Sequence, residues 1–197
     1  MGNEKVKTVG VMTPEFRVSF PNVFKPKKNE LSGEDEYSVQ ALFPKGCDMS
    51  ALKAAAEAAV VKKWGADKSQ WPTNLRTPFR LQDERAKVVE GKKVMPPGHE
   101  EGAIFLNLKS KQRPGVVDKS VQPIIDETEF YSGCYARATI SAYAYDAKGN
   151  RGVAFGLGNI QKTRDGEPLG GRMKAEDEFA PIGDQSGAKP QALDSLF

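Results

Sequence analysis

The sequence predicts a mainly β domain that carries one α-helix, and three observations support this fold class. Several short segments alternate apolar and polar side chains, as half-buried strands do. One alanine-rich segment has the periodicity of a helix. Glycine and proline, with 19 and 13 of the 197 residues, separate these segments. Short strands divided by such turns are typical of a β-barrel or a β-sandwich.

The first strands are predicted on either side of a lysine-rich loop. Residues 16–20 predict a short strand that ends at Pro21, because proline cannot donate a hydrogen bond to a ladder. Residues 22–35 contain further Pro and Gly and predict a loop. Residues 36–43 place apolar side chains at every second position, which indicates a strand with one buried side.

The helix is predicted over residues 48–64. Asp48 can cap its first turn, and Gly65 can adopt the left-handed conformation at its end. Residues 65–102 are rich in proline, glycine and charge and predict an irregular insert. Connections of this length inside a compact domain are often functional.

The most informative strands come late in the chain. Residues 103–110 predict an apolar strand. Residues 131–146 alternate between a small-residue face and an aromatic, polar face. A hairpin turn at 146–150 leads into a returning strand over 151–162. A small Greek-key barrel of the OB-fold type best accommodates this set of strands, with residues 1–164 as the folded domain.

Charge divides the chain into two parts. Bases outnumber acids by 26 to 19 in residues 1–164, whereas acids outnumber bases by 7 to 3 in residues 165–197. Glycine and proline recur throughout the second part, which predicts a flexible acidic tail. A basic body suggests a polyanionic partner, although an ordinary solvated surface is the open alternative.

Several classes of function are disfavoured. No apolar run approaches the ~20 residues of a membrane helix, and residues 1–5 show no secretory signal, so we expect no membrane partner. The two cysteines lie far apart, which predicts reduced thiols in a cytoplasmic setting. With one histidine, no metal site or cofactor is predicted. No catalytic motif appears, so we predict a protein that is not an enzyme and has no catalytic residues.

The residue pattern fits single-stranded nucleic acid, which needs cations for phosphates and flat rings for bases. Phe20 is predicted to be a packing residue rather than a contact. The predicted phosphate contacts are Lys25, Lys27, Lys28, Lys109, Lys111, Arg113, Arg137 and Arg151. The predicted stacking residues are Phe24, Tyr135, Tyr143 and Tyr145.

The tail predicts a second function. Its acids can compete with DNA for a cationic groove. Asp194, Leu196 and the C-terminal Phe197 predict a docking peptide for replication or recombination proteins. An unspecialised end of the chain is the alternative.

Three segments resemble a bacteriophage single-stranded DNA-binding family of the Enc34 type. They are RVSFPNVF at 17–24, YSGCY at 131–135 and GVAFGLGNIQK at 152–162. The likeness runs from about residue 16 to about residue 179. It implies an OB-fold, sequence-independent coating of single strands, and a role in phage DNA replication or recombination in the host cytoplasm. The tail is similar to the Phe-terminated tails of bacterial and T7-type proteins, but its last four residues hold a single acid.

The main competing interpretation is a phage structural or assembly protein that does not bind DNA. It would use the tail as a docking peptide and would show no salt-sensitive affinity for DNA. The sequence leaves self-association and the role of the 65–102 insert open.

Overall fold

A computed structural model describes residues 10–30, 32–147 and 149–170, and these residues form a mainly β fold with one α-helix, as predicted. The strands are β1 (Val11–Met12), β2 (Phe16–Lys28), β3 (Asp35–Leu42), β4 (Arg80–Leu81), β5 (Lys87–Val89), β6 (Lys92–Val94), β7 (Ile104–Ser110), β8 (Val116–Val117), β9 (Tyr135–Ala147) and β10 (Asn150–Arg164). Helix α1 covers Ser50–Trp64, and 3-10 helices cover Lys68–Gln70, Gln82–Arg85 and Glu127–Glu129.

Five of the strands close into a barrel. Neighbours pair in the order β2, β3, β7, β10 and β9, and β9 returns to pair with β2. All of these pairs are antiparallel except β7 with β10, which run parallel where Lys109 faces Gly156. This connectivity confirms the predicted OB-like barrel, in which β3 and β7 are the second and third barrel strands.

The core lies inside the barrel and beneath α1. On β9 the side chains of Ala136, Ala138 and Ile140 point inward and are buried, which confirms the predicted alternation. Leu52 and Val60 bring one side of α1 against this core. The aromatic and aliphatic members include Phe16, Phe43, Phe105, Leu106, Leu108 and Phe155. Burial of each such side chain stabilises the fold by roughly 1.5–3 kcal/mol.

Strand β2 is longer than predicted. The prediction that it ends at Pro21 is wrong, because the strand continues to Lys28 and contains two prolines. The register with β3 shifts between Ser19 and Asn22 and again between Asn22 and Lys27. A proline is tolerated at such irregularities because the ladder does not need its missing N–H there.

Helix α1 begins slightly later than predicted. It starts at Ser50, and the Asp48 carboxylate accepts a hydrogen bond from the Ser50 amide at 2.9 Å. Asp48 therefore still satisfies a free N–H at the start of the helix. The helix ends at Trp64, and Gly65 has a positive φ of 90°. Glycine adopts such a φ without the steric cost that a β-carbon brings.

The insert over residues 65–102 contains only short elements, as predicted, and one buried side chain fixes it to the barrel. Gln82 is 1% exposed. Its Nε2 donates to the carbonyls of Phe43 and Ile104, both at 2.9 Å, and its Oε1 accepts from the Glu100 amide at 2.7 Å. A fully satisfied buried amide holds its surroundings in one arrangement.

The residues after β10 lie against the barrel. We call residues 165–170 the strap, although the sequence assigns them to the tail. The Arg17 guanidinium donates to the Glu167 carbonyl at 2.8 Å, and the Leu169 amide donates to the Ser132 carbonyl at 2.9 Å. Gly133, with a φ of 118°, faces the Glu167 backbone so closely that a β-carbon would not fit. The remaining tail, with Asp194, Leu196 and Phe197, lies outside the described residues.

Candidate nucleic-acid interface

A groove runs over the outer surface of β3 and β7. Ser38 and Gln40 on β3 pair with Lys109 and Asn107 on β7. Side chains alternate along a strand, so these four point away from the buried Val39 and Leu108 beneath them. The groove floor is therefore polar, while the layer under it is part of the apolar core.

Three other parts of the chain wall this groove, which has a volume of about 600 Å³. Strand β2 supplies Phe20, Pro21, Asn22 and Lys27. The 3-10 helix of the insert supplies Arg85, and the segment before β9 supplies Ser132. The insert thus contributes directly to the groove, which the sequence left open.

Phe20 is the most unusual residue of the groove. Its side chain is 69% exposed, so the prediction that it packs in the core is wrong. Its φ is +45°, a conformation that costs a non-glycine residue about 1–3 kcal/mol and that clusters at ligand sites. The strain coincides with the irregular register before Asn22. The bulge turns the Phe20 ring outward, whereas a regular strand would have buried it.

Apart from Lys109, the floor consists of neutral side chains that can both donate and accept hydrogen bonds. Gln40 is 5% exposed, and its Nε2 donates to Asn107 Oδ1 at 3.1 Å. The Gln40 Oε1 atom has no hydrogen-bond partner within the described residues. An unpaired buried acceptor costs about 1–3 kcal/mol, so the floor has a position for a donor from a bound molecule.

Charge in the groove is partly balanced. Lys109 Nζ lies 2.8 Å from Glu36 Oε2, which also accepts from Asn29 Nδ2 at 2.8 Å. Burial raises the pKa of Glu36, but the hydrogen bonds from Lys109 and Asn29 lower it more, and the net shift is downward. Glu36 therefore stays ionised near neutral pH. Lys27 lines the groove and has no ion pair with any residue in the described ranges.

Two of the predicted contact residues, Lys27 and Lys109, line this groove. Tyr143 lies near its Lys109 end, because the Tyr143 ring lies beside Gly156, which pairs with Lys109. Tyr143 is 49% exposed. Burial of its hydroxyl raises the pKa of Tyr143, the Glu36 carboxylate raises it further, and Lys109 opposes that rise. The ring is thus available at the surface beside a cation.

A second set of predicted residues lies at the loop end of the barrel. Lys28 ends β2 and is exposed, and Lys111 Nζ pairs with Glu34 at 2.6 Å. On the hairpin after β9, Arg151 Nε pairs with Asp146 at 2.9 Å. The Tyr145 hydroxyl packs over Gly152 beside the Arg76 carbonyl. The loops after the first and fourth barrel strands, which this set borders, are those that bind oligonucleotides in many OB-folds.

A third set of predicted residues, Phe24, Lys25 and Arg113, does not line the groove. Phe24 is half-buried and packs edge-on against Phe130 at 6.4 Å, and the Arg113 guanidinium lies 5.9 Å from the Phe24 ring. Lys25 pairs with Glu127 at 3.2 Å. The structure gives Phe24 a packing role that its neighbouring lysines did not reveal.

Tyr135 and Arg137 also lie apart from the groove. The Arg164 guanidinium covers the Tyr135 ring at 3.4 Å, and Arg137 Nε donates to Gln161 at 2.8 Å. Both residues share the outward face of β9 with Tyr143, as predicted. Because a barrel strand of 13 residues is tilted and coils, its two ends face different directions.

Within the described residues, Cys47 and Cys134 are free thiols, and no cluster of acidic, His and Cys side chains is arranged to hold a metal ion. The described helices include none that is long and apolar enough to span a bilayer.

Comparison with known proteins identifies the family. The sequence profile of the ssDNA-binding protein of Enterobacter phage Enc34 matches residues 9–190. The chain belongs to this Enc34 ssDNA-binding protein family. This confirms the family resemblance that the sequence indicated.

Three proteins that are similar to this chain come from phages. Putative protein p50 of Acyrthosiphon pisum secondary endosymbiont phage 1 is 30% identical over 171 residues, covering 83% of this chain and 88% of that protein. The single-stranded DNA-binding protein of bacteriophage Enc34, solved in complex with ssDNA, superposes with a TM-score of 0.63 at 22% identity, covering 83% of this chain and 91% of that chain. The bacteriophage T7 protein gp2.5 superposes with a TM-score of 0.52 at 13% identity, covering 88% and 98%. The two superpositions support the OB-like fold.

Proposed function

We propose that this chain is a non-enzymatic protein that binds single-stranded DNA in the groove over β3 and β7, without sequence preference. The observation that carries the proposal is the exposed Phe20 ring beside a polar floor, with Lys27 and Lys109 in the same groove. A ring stacks on a base, and ammonium groups neutralise phosphates. In OB-folds this face of the second and third strands binds oligonucleotides.

The chemistry of the groove supports binding without sequence preference. Every base has a flat face, so stacking on Phe20 or Tyr143 tolerates any base. The amides of Asn22, Gln40 and Asn107 together carry both donor and acceptor groups, so the groove does not require one particular base edge. A duplex keeps its bases stacked on each other and cannot offer one to these rings.

The family supports this proposal. The Enc34 relative is described as a single-stranded DNA-binding protein and was solved with ssDNA, and the T7 neighbour is also a single-stranded DNA-binding protein. By analogy, this chain would coat and protect single strands during phage DNA replication or recombination in the host cytoplasm.

Binding to single- and double-stranded oligonucleotides of equal length tests the proposal. We expect tighter binding to single strands, similar affinity for oligo-dT and mixed sequences, and an affinity that falls steeply with salt. Each phosphate contact contributes about −0.7 to the slope of log affinity against log salt on single strands. Equal affinity for duplex, or a flat salt response, would contradict it and favour the structural or assembly protein.

We further propose that the acidic tail competes with DNA for this groove. The strap reaches the edge of the groove. Its Leu169 amide donates to the Ser132 carbonyl, and Ser132 lines the groove. Residues 165–197 carry 7 acids and 3 bases, so the tail is drawn to the same cations as phosphate. Asp194, Leu196 and Phe197 would then dock replication or recombination proteins once DNA displaces the tail.

Deletion of residues 176–197 is expected to tighten oligo-dT binding several-fold at low salt, because it removes five acids and one base. The gain should vanish at high salt, where screening weakens the competition. Fluorescence titration of both proteins across a salt series measures this. A full-length variant with Glu176, Asp177 and Glu178 changed to Gln should show part of the gain, and weaker binding of the truncated chain would contradict the competition.

The Glu36→Gln variant is expected to bind oligo-dT several-fold more tightly at low salt. In the wild type the Glu36 carboxylate forms an ion pair with Lys109. A neutral amide in its place leaves the Lys109 ammonium free to bind phosphate. Because the pKa of Glu36 lies below its ordinary 4.5, the difference should persist from neutral pH down to about 4.5 and shrink below it. Glu57→Gln, which breaks the remote pair with Lys68, is the matched control. Unchanged affinity of the Glu36 variant would show that phosphate does not contact Lys109.

A further inference from the structure

A two-stranded hairpin projects from the insert beside the groove. Strands β5 and β6 pair Lys87 with Val94, Val88 with Lys93 and Val89 with Lys92, and all six residues are exposed. Glu90 and Gly91 form its turn with φ of 50° and 74°. Two central residues with positive φ are the mark of a type I′ turn, which matches the twist of a tight hairpin.

The root of the hairpin is held firmly at the rim of the groove. Arg85 lines the groove and lies two residues before Lys87, which places the two Cα atoms at most ~7 Å apart. The helix that contains Arg85 begins at Gln82, the buried residue with three hydrogen bonds to the barrel and insert. The hairpin therefore extends the groove wall outward from a 3-10 helix that is fixed to the barrel.

One of the three hairpin lysines, Lys93, ties the hairpin to the rest of the insert. Lys93 Nζ pairs with Asp83 Oδ1 at 2.5 Å and with Glu101 Oε1 at 2.7 Å. Asp83 also accepts from the Gly102 amide at 2.7 Å. The charge of Lys93 is thus neutralised by the body of the insert.

The other two lysines lie on the opposite face. Directly paired residues share a face and the faces alternate, so Lys87, Val94, Val89 and Lys92 form one face, while Lys93 lies on the other. Within the described residues neither Lys87 nor Lys92 has an ion pair. The ammonium groups of Lys87 and Lys92 therefore extend the positively charged surface of the groove along the hairpin.

We propose that the face of this hairpin that carries Lys87 and Lys92 is a second DNA contact, which holds the phosphates of the strand where it leaves the groove past Arg85. The inference rests on the proposed function and extends it. A short oligonucleotide fills the groove alone, whereas a longer strand reaches the hairpin as well. The hairpin therefore contributes to affinity only above a threshold length.

A length-resolved titration of the Lys87→Gln, Lys92→Gln double variant tests this. For an oligo-dT of about 20 nucleotides, we expect a roughly tenfold loss of affinity at low salt and a salt slope smaller by about 1.4, for two lost phosphate contacts. For one of about 6 nucleotides, within the range of OB-fold site sizes, the affinity should change less than twofold. The matched control is Lys53→Gln with Lys62→Gln on α1, which lose the same charge from exposed positions.

Two outcomes would overturn the inference. One is an unchanged salt slope for the long oligonucleotide, and the other is an equal loss at both lengths, which would indicate a general charge effect. Sedimentation of both proteins without DNA tests a further alternative. If the wild type self-associates and the double variant does not, the hairpin is a protein contact and the inference is overturned. If the wild type bound neither oligonucleotide, the proposed function itself would fail, which is a separate result.

Discussion

The Phe20→Ala variant is expected to bind oligo-dT at least about fivefold more weakly than the wild type, and up to about a hundredfold. Loss of one base–aromatic stack costs roughly 1–3 kcal/mol, and each 1.4 kcal/mol is a factor of ten. The fold should remain intact, because the ring is 69% exposed and packs little against the core. Quenching of intrinsic fluorescence or anisotropy of a labelled oligonucleotide gives the affinity, and thermal unfolding reports stability.

Two further variants separate stacking from other effects of this substitution. Phe20→Gly should bind as weakly as Phe20→Ala, yet be the more stable of the two, because glycine adopts a φ of +45° without strain. Ile125→Ala removes an 88% exposed side chain remote from the groove and should leave affinity unchanged. Wild-type affinity in Phe20→Ala would show that no base stacks on this ring.

The Lys27→Glu, Lys109→Glu variant is expected to lose about a hundredfold in affinity for single strands at low salt. Both side chains line the groove, and reversal replaces two attractive contacts by repulsion. The salt slope should fall by about 1.4 for the two lost contacts, so that the affinities of variant and wild type converge at high salt.

Controls address charge and folding in this double variant. Lys53→Glu with Lys62→Glu changes the net charge equally on α1 and should cost far less. The single Lys27→Gln variant removes one groove cation without placing a second carboxylate opposite Glu36, so it tests the groove even if the double variant unfolds. A loss in the α1 variant as large as in the groove variant would mean that binding follows net charge and not this site.

The sequence predicted those parts of the fold that depend on local pattern. Strict alternation on β9 identified Ala136 and Ala138 as inward residues, because strand geometry alone fixes that alternation. The alanine-rich composition identified α1 to within two residues at its start. The continuation of β2 past Pro21 was not predictable in this way, since it depends on a bulged register against β3.

The site was predictable only in part, because nearness in the barrel comes from residues distant in the sequence. Tyr135 and Tyr143 have the same sequence signature, but Arg164 covers the Tyr135 ring while Tyr143 stays open. Phe24 is also covered, because Phe130 packs against its ring. Conversely, Phe20 beside Pro21 held a usable signal, since a proline one residue later breaks the regular strand that would have buried the ring.

Photochemical cross-linking tests the location of the site most directly. Oligo-dT with single 5-iodouracil substitutions is irradiated with the full-length chain, and the attached residues are identified by mass spectrometry of the digest. Halogenated bases attach to aromatic rings that stack on them, so we predict attachment at Phe20 and Tyr143. Attachment at Tyr135 or Phe24 with none at Phe20 would contradict the assignment of DNA to the groove over β3 and β7.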